Sequence, residues 1–175
     1  MSIHLDRRTN RQGGPVATRN QDCEQIAQRR RCMRALAHAP AEDLAAAWDT
    51  WQPKPEVEEI RGPQAGLVMV RGRIGGGGDP FNLGEATVSR ATVRLHGDAM
   101  TGEQIGTGYV LGTELRHAWL AAVFDGLLAD DRQRLRVLDT VVDPLTRAQA
   151  EHDDLRRGEA AGTKVDFFTV AREHR

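Results

Sequence analysis

Ala65-Gly-Leu-Val-Met-Val-Arg-Gly-Arg-Ile74, four glycines to Gly78, Phe81-Asn-Leu-Gly-Glu-Ala-Thr-Val-Ser-Arg-Ala-Thr-Val-Arg-Leu95 and then Gly106-Thr-Gly-Tyr-Val-Leu-Gly112 form the stretch that decides the fold. Two segments rich in β-branched residues, joined by a glycine loop and followed by a short third segment, predict an antiparallel β-meander. The flanks read as helix or tail. The chain is therefore expected to be α+β, a single domain in which the meander packs with N-terminal and C-terminal α-helices.

Alternation along a strand sorts the side chains. In the first segment Val68, Val70 and Ile74 share a face with Gly72, whereas Arg71 and Arg73 share the other with Leu67 and Met69. In the second, Ala91, Val93 and Leu95 share a face, and Arg90 and Arg94 lie opposite with Val88. Should the two apolar faces join one core, Arg71, Arg73, Arg90 and Arg94 converge on the other face of the sheet. A one-residue slip in register reverses that outcome. Such a cluster of planar, permanently charged donors suits phosphate or carboxylate oxygens. A ligand anion, a partner protein and internal acids such as Glu85 and Glu103 are all compatible with it.

The run Gly75 to Gly78 permits close backbone approach to a phosphate, but neither Lys-Ser/Thr nor a helix follows, so it is not a Walker loop. A flexible hairpin connection explains it equally well.

Upstream, residues 1–21 are polar with Gly13-Gly14-Pro15 and are expected to be a disordered extension, leaving residues 22–175 as the domain. From Asp22 as N-cap, Ile26, Met33, Leu36 and Ala37 recur at helical spacing up to about His38, with Arg29, Arg30, Arg31 and Arg34 on the remaining surface. Pro40 suits the first turn of a second helix, in which Leu44, Ala47, Trp48 and Trp51 make a buried stripe. Helically spaced tryptophans read as core ahead of an adenine-stacking pair. Residues 56–60 suggest a short strand ended by Gly62-Pro63.

Downstream, Thr113 is expected to cap a helix over residues 114–128 that is apolar nearly all round and hence covered on both sides. His117 falls in its first turn. Asp130 or Asp131 begins a further helix with Leu135, Leu138 and Val142, and Asp143-Pro144 begins another. In the latter His152-Asp153-Asp154 reads as a solvated run, since consecutive helical residues diverge. Val165-Asp-Phe-Phe-Thr-Val170 reads as a final strand or docking segment.

Composition bounds the function. The 175 residues suffice for one core, and a net charge of −1 supplies no general drive toward nucleic acid or anionic membrane. No apolar leader or run of about 18 apolar residues occurs, so the expected location is cytoplasmic. Cys23 and Cys32 sit about 13 Å apart along one expected helix and cannot bridge. No spacing of metal ligands is present.

Three ordered blocks carry a resemblance: Arg73-Ile-Gly-Gly-Gly-Gly78 with Gly84-Glu-Ala-Thr-Val-Ser-Arg-Ala-Thr-Val-Arg-Leu95; Gly108-Tyr-Val-Leu-Gly112 with His117-Ala118; and Val165-Asp-Phe-Phe-Thr169. On these the chain, from about Arg31 onward, resembles the PhnG family, the G subunit of the bacterial carbon–phosphorus lyase system. The resemblance implies a core complex with the H, I and J subunits. It also implies a requirement, together with the H, I and L subunits, for displacing adenine from MgATP by an alkylphosphonate such as methylphosphonate. The product would be α-D-ribose 1-alkylphosphonate 5-triphosphate. The I subunit is regarded as carrying the nucleosidase chemistry. This chain would then be an essential partner in a multi-subunit ribose-triphosphate transferase, inactive when isolated, binding no cofactor alone, with MgATP as substrate of the complex.

Displacement at the anomeric carbon needs an oriented phosphonate, a held triphosphate and stabilisation of a developing oxocarbenium-like centre. Arginines could fix the anions. Glu85 and His117 have side chains suited to acid–base work, but spacing does not place them beside a substrate. A purely structural scaffold without substrate contact is the competing reading.

Overall fold

The computed structural model describes residues 16–162. In chain order these form α1 (Val16–His38), α2 (Ala41–Asp49), β1 (Glu56–Arg73), β2 (Pro80–His96), β3 (Gln104–Leu111), α3 (Leu115–Ala129), α4 (Arg134–Val137) and α5 (Asp143–Gly162). The strands make one antiparallel sheet in the order β1-β2-β3, the expected meander in an α+β chain. Two units separate at Arg31/Cys32, and the described part of the first is helical throughout. The helix starts at Val16, ahead of the expected cap at Asp22, because no breaker interrupts the sequence between Pro15 and Pro40. The remainder of the expected extension and the Val165 to Val170 segment lie outside the described residues.

The core is built where α3 crosses β2 and β3. Ala91, Val93 and Leu95 of β2 and Val110 of β3 are buried beneath a helix whose residues from Ala118 to Leu127 are buried almost all round, as its apolar sequence requires. The glycines of β3 explain how a helix can lie so close. A methyl group at Gly106 would run into the carbonyl oxygen of Ala122, and one at Gly108 into that of Ala118. On the helix side, a Cβ at Gly126 would come within 2.6 Å of Leu95 Cδ1. Strand and helix backbones therefore meet directly, and dispersion contacts replace side-chain interdigitation.

The far side of α3 is closed by α2. Trp48 meets Trp119 edge-on at 5.8 Å between centroids, and Trp51 meets Phe124 in the same way at 5.8 Å. Phe124 and Leu44 are fully buried, so the tryptophans are core residues. The Arg136 guanidinium lies 4.0 Å over the Trp51 ring and donates to the Gln52 carbonyl oxygen. His117 is buried and its Nε2 donates to the Leu36 carbonyl oxygen at 2.8 Å, tying the last turns of α1 to α3.

Asp130 clips two loops together. Its carboxylate accepts from the backbone N–H groups of Thr101 at 2.6 Å, Arg132 at 3.0 Å and Gln133 at 3.2 Å. Burial by itself would raise its pKa, but these donors outweigh it and hold the carboxyl below the ordinary aspartate value.

Several local expectations are corrected. β1 does not end at Gly62-Pro63; it continues to Arg73, with register shifts between Glu59 and Arg61 and between Arg61 and Gln64 absorbing the proline as bulges in an edge strand. Glu114, not Thr113, is the N-cap of α3, without a side-chain capping bond. Leu135 is exposed, whereas Val137, Val141 and Val142 are buried, because a π-turn at Leu138–Val142 rotates the apolar stripe between α4 and α5. The last helix runs through Gly158 to Gly162, with Asp154 paired to Arg157 at 2.9 Å.

Candidate functional site

The hairpin of β1 and β2 extends well past β3. The last β2–β3 pair is Val88 with Leu111, after which the Gly112 N–H closes onto the Thr87 carbonyl at 2.8 Å. From there to the tip, Leu67 pairs with Thr87, Met69 with Glu85, Val70 with Gly84 and Arg73 with Pro80. This outer ribbon is roughly 20 Å long at about 3.3 Å per residue. At its tip, Gly75 adopts φ 60°, Gly78 N–H donates to the Ile74 carbonyl at 3.0 Å, and Arg73 Nη1 donates to the Gly78 carbonyl at 2.9 Å. The four-glycine run is thus a tight hairpin turn pinned by Arg73.

This register separates the arginines. Arg71 lies opposite Asn82 and Arg90 opposite Gln64, so along β2 the two are roughly 25 Å apart. Arg73 and Arg94, opposite Pro80 and Glu58, are separated further still. The faces differ too. Val68 and Val70 pair with Ala86 and Gly84 and share the face of Arg90, while Ala65, on the face of Leu67, Met69 and Arg71, pairs with buried Ser89. The expected convergence of four arginines on one face does not occur, because the Val68 and Val70 face does not join the Val93 and Leu95 face in a common core.

Each arginine pair has its own surroundings. Arg94 donates to Glu58 at 2.9 Å and lies 3.8 Å from Glu103. With the Gln64 amide turned to present its oxygen, Arg90 Nε and Nη2 both donate to it at 2.9 Å. These two sit on the sheet face away from α3, beside the exposed Ile105, Tyr109 and Leu111 of β3. Arg71 and Arg73 belong to the outer ribbon and are exposed. Glu85 is exposed on the same ribbon, whereas His117 is enclosed in the core with its Nε2 engaged by Leu36. The two candidate acid–base groups therefore occupy different environments.

Among the described residues, no group of three or more His, Cys, Asp and Glu side chains is placed to hold a metal. A cleft of about 210 Å³ lies between Met33 and Leu36 of α1, Thr107 and Tyr109 of β3 and Ala121 of α3. It is apolar and smaller than the roughly 300 Å³ from which ligand pockets start. Asp125 at its edge accepts from the Thr107 backbone N–H at 2.9 Å, satisfying an outward amide of β3. No helix among the described residues is long and apolar enough to cross a membrane.

What sequence reasoning missed is apolar rather than charged. Leu67, Val68, Met69 and Val70 are all exposed, on both faces of the ribbon, as are Phe81 and Leu83. An unbroken apolar run in a strand calls for cover on both sides, and that signal was available in the sequence.

Fold and surface together define a class: an α+β protein in which, among the described residues, one sheet face is sealed by a helix, the other is left open, and an apolar ribbon extends beyond both. Residues 27–173 match the family described as phosphonate metabolism protein PhnG, and the chain belongs to that family. It is 52% identical over 156 residues to the alpha-D-ribose 1-methylphosphonate 5-triphosphate synthase subunit PhnG of Rhizobium meliloti (strain 1021), covering 89% of this chain and 96% of that one.

Proposed function

We propose that the chain is an essential subunit of the carbon–phosphorus lyase core complex, acting with the H, I and L subunits to transfer ribose triphosphate from MgATP to an alkylphosphonate such as methylphosphonate. The products are α-D-ribose 1-alkylphosphonate 5-triphosphate and adenine. The observation that carries this reading is the match to a named synthase subunit along nearly the whole of both chains. The chain assembles with the H, I and J subunits in the cytoplasm, binds no cofactor alone and is inactive alone. Its own residues supply positioning: Arg71, exposed on the ribbon, can meet anionic oxygens or partner acids, whereas Arg73 is engaged by the Gly78 carbonyl and Arg90 and Arg94 by Gln64, Glu58 and Glu103.

That engagement favours a second reading, a scaffold without substrate contact. Reconstitution of the complex with and without this chain, following adenine release and phosphonate product separately, tests the first reading. Unchanged synthesis without the chain overturns it. Charge reversal at Arg73 and Arg94 separates the two: lost assembly marks a scaffold, and intact assembly with lost turnover marks substrate handling.

A further inference from the structure

We infer that the outer ribbon, residues 67–83, is the arm by which a different subunit grips this chain, and that the gripping surface is a two-walled apolar cleft with a strand edge on its rim. The inference rests on the reading of the chain as an assembly subunit. It starts from the two-sided exposure of the ribbon. Leu67 and Met69 point to one side at 64% and 51% exposure, Val68 and Val70 to the other at 45% and 38%, and Leu83 on β2 stands at 66%. No third layer covers either side among the described residues, and a bare two-stranded ribbon is marginal in water. Whatever covers it must reach both faces at once.

A second copy of this chain does not meet that requirement. Pairing β1 to β1 along the outward edge would satisfy backbone groups and leave both faces wet. Stacking two ribbons face to face would cover one side of each. A cleft with two walls covers both, and enclosing a ribbon of this length removes on the order of 1,000 Å² from water, the scale of a specific interface.

The edges define the rim. β1 has no neighbour on its outward side among the described residues, and β2 loses its neighbour beyond Thr87 because β3 ends opposite Val88. Backbone donors and acceptors carried into an apolar cleft have to be paired, so the partner presents a strand or equivalent backbone there. β3 contrasts with this, since Asp125 already occupies its outward amide at Thr107.

Charge defines the deep end. The segment from Leu67 to Val70 carries none, whereas Arg71 and Arg73 follow towards the tip. Arg73 is folded onto the Gly78 carbonyl, which leaves Arg71 as the cation that enclosure would bury. The floor of the cleft therefore offers an acid.

The test uses the full chain co-expressed with the H, I and J subunits. The double variant Val68→Glu with Leu83→Glu is expected to keep the circular dichroism and melting of the isolated chain, yet to lose at least ten-fold in co-purification. Leu155→Glu, on exposed α5, is expected to co-purify normally. Hydrogen exchange on the unmutated chain is the second measurement and stands even where the double variant misfolds. The outward-pointing amides among residues 67–70 and 83–86, which the β1–β2 ladder leaves unpaired, should slow at least ten-fold in the complex and stay fast in the isolated chain. Retained co-purification of a folded double variant overturns the inference, as does fast exchange within an assembled complex. Slow exchange in an isolated chain that sediments as a dimer overturns it in favour of a second copy. An unmutated chain that joins none of these subunits overturns the assembly reading and the inference together.

Discussion

The two halves of the β1–β2 hairpin are built from similar residues and meet opposite fates. In the inner half Val93 and Leu95 are completely buried beneath α3, while in the outer half Val68 and Val70 face solvent. Strand propensity is the same in both. What differs is cover: the inner half has β3 and α3 laid against it at backbone distance, and the outer half passes the point where both stop. The lesson is that an apolar strand residue identifies a surface needing cover, while the element that supplies the cover decides between core and interface.

The contrast is broken most severely at the glycines. Gly108→Val is expected to unfold the chain, because the new Cβ falls on the Ala118 carbonyl oxygen; a loss above about 4 kcal/mol in urea denaturation is expected for so disruptive a clash. Next comes Phe124→Ala, which empties the meeting point of Trp48 and Trp51 and should cost about 3–5 kcal/mol by the same measurement. Asp130→Asn should cost about 1–2 kcal/mol through weakened acceptance from three backbone donors.

Asp130 also has a pH signature. Its folded pKa lies below the unfolded value, so its contribution is fully present above the unfolded pKa of about 3.9 and is lost as pH falls through the lower, folded value. Melting of the native chain should therefore fall in acid below about pH 4–5, and Asp130→Asn should remove that part of the slope. At the small end, Leu83→Ser in the outer ribbon should change the stability of the isolated chain by less than about 0.5 kcal/mol, since the side chain is already in water. A larger loss would mean that the ribbon has cover within the chain.

Much of the architecture was legible from local signals. The glycine-joined β-branched segments foretold the meander, and the all-round apolar character of α3 foretold its double cover. The end of β1 was not legible, because Gly62-Pro63 is a strand breaker only where the proline's missing N–H would be needed; on an edge strand it is not. The arginine geometry failed for a related reason. Side-chain parity was correct within each strand, but the pairing of Gln64 with Arg90 and of Val70 with Gly84 is set by long-range contacts that no single strand encodes. His117 was singled out in the sequence, yet its burial against Leu36 depends on a residue far away in the chain. The sequence expects the face of Val68 and Val70 to join the core and leaves Leu67 and Met69 on the arginine face; that both faces of the ribbon are exposed depends on where α3 and β3 stop, which the sequence does not say.

All three tryptophans of the chain, Trp48, Trp51 and Trp119, gather at the seam between α2 and α3 around Phe124. The intrinsic indole emission of the protein therefore originates from one spot, with the Arg136 cation stacked on one emitter and Lys54 over another. Fluorescence will follow the opening of that seam and stay silent about the ribbon. A single tryptophan introduced at Leu83 would then be an optical reporter of partner engagement, read against a background fixed elsewhere in the molecule.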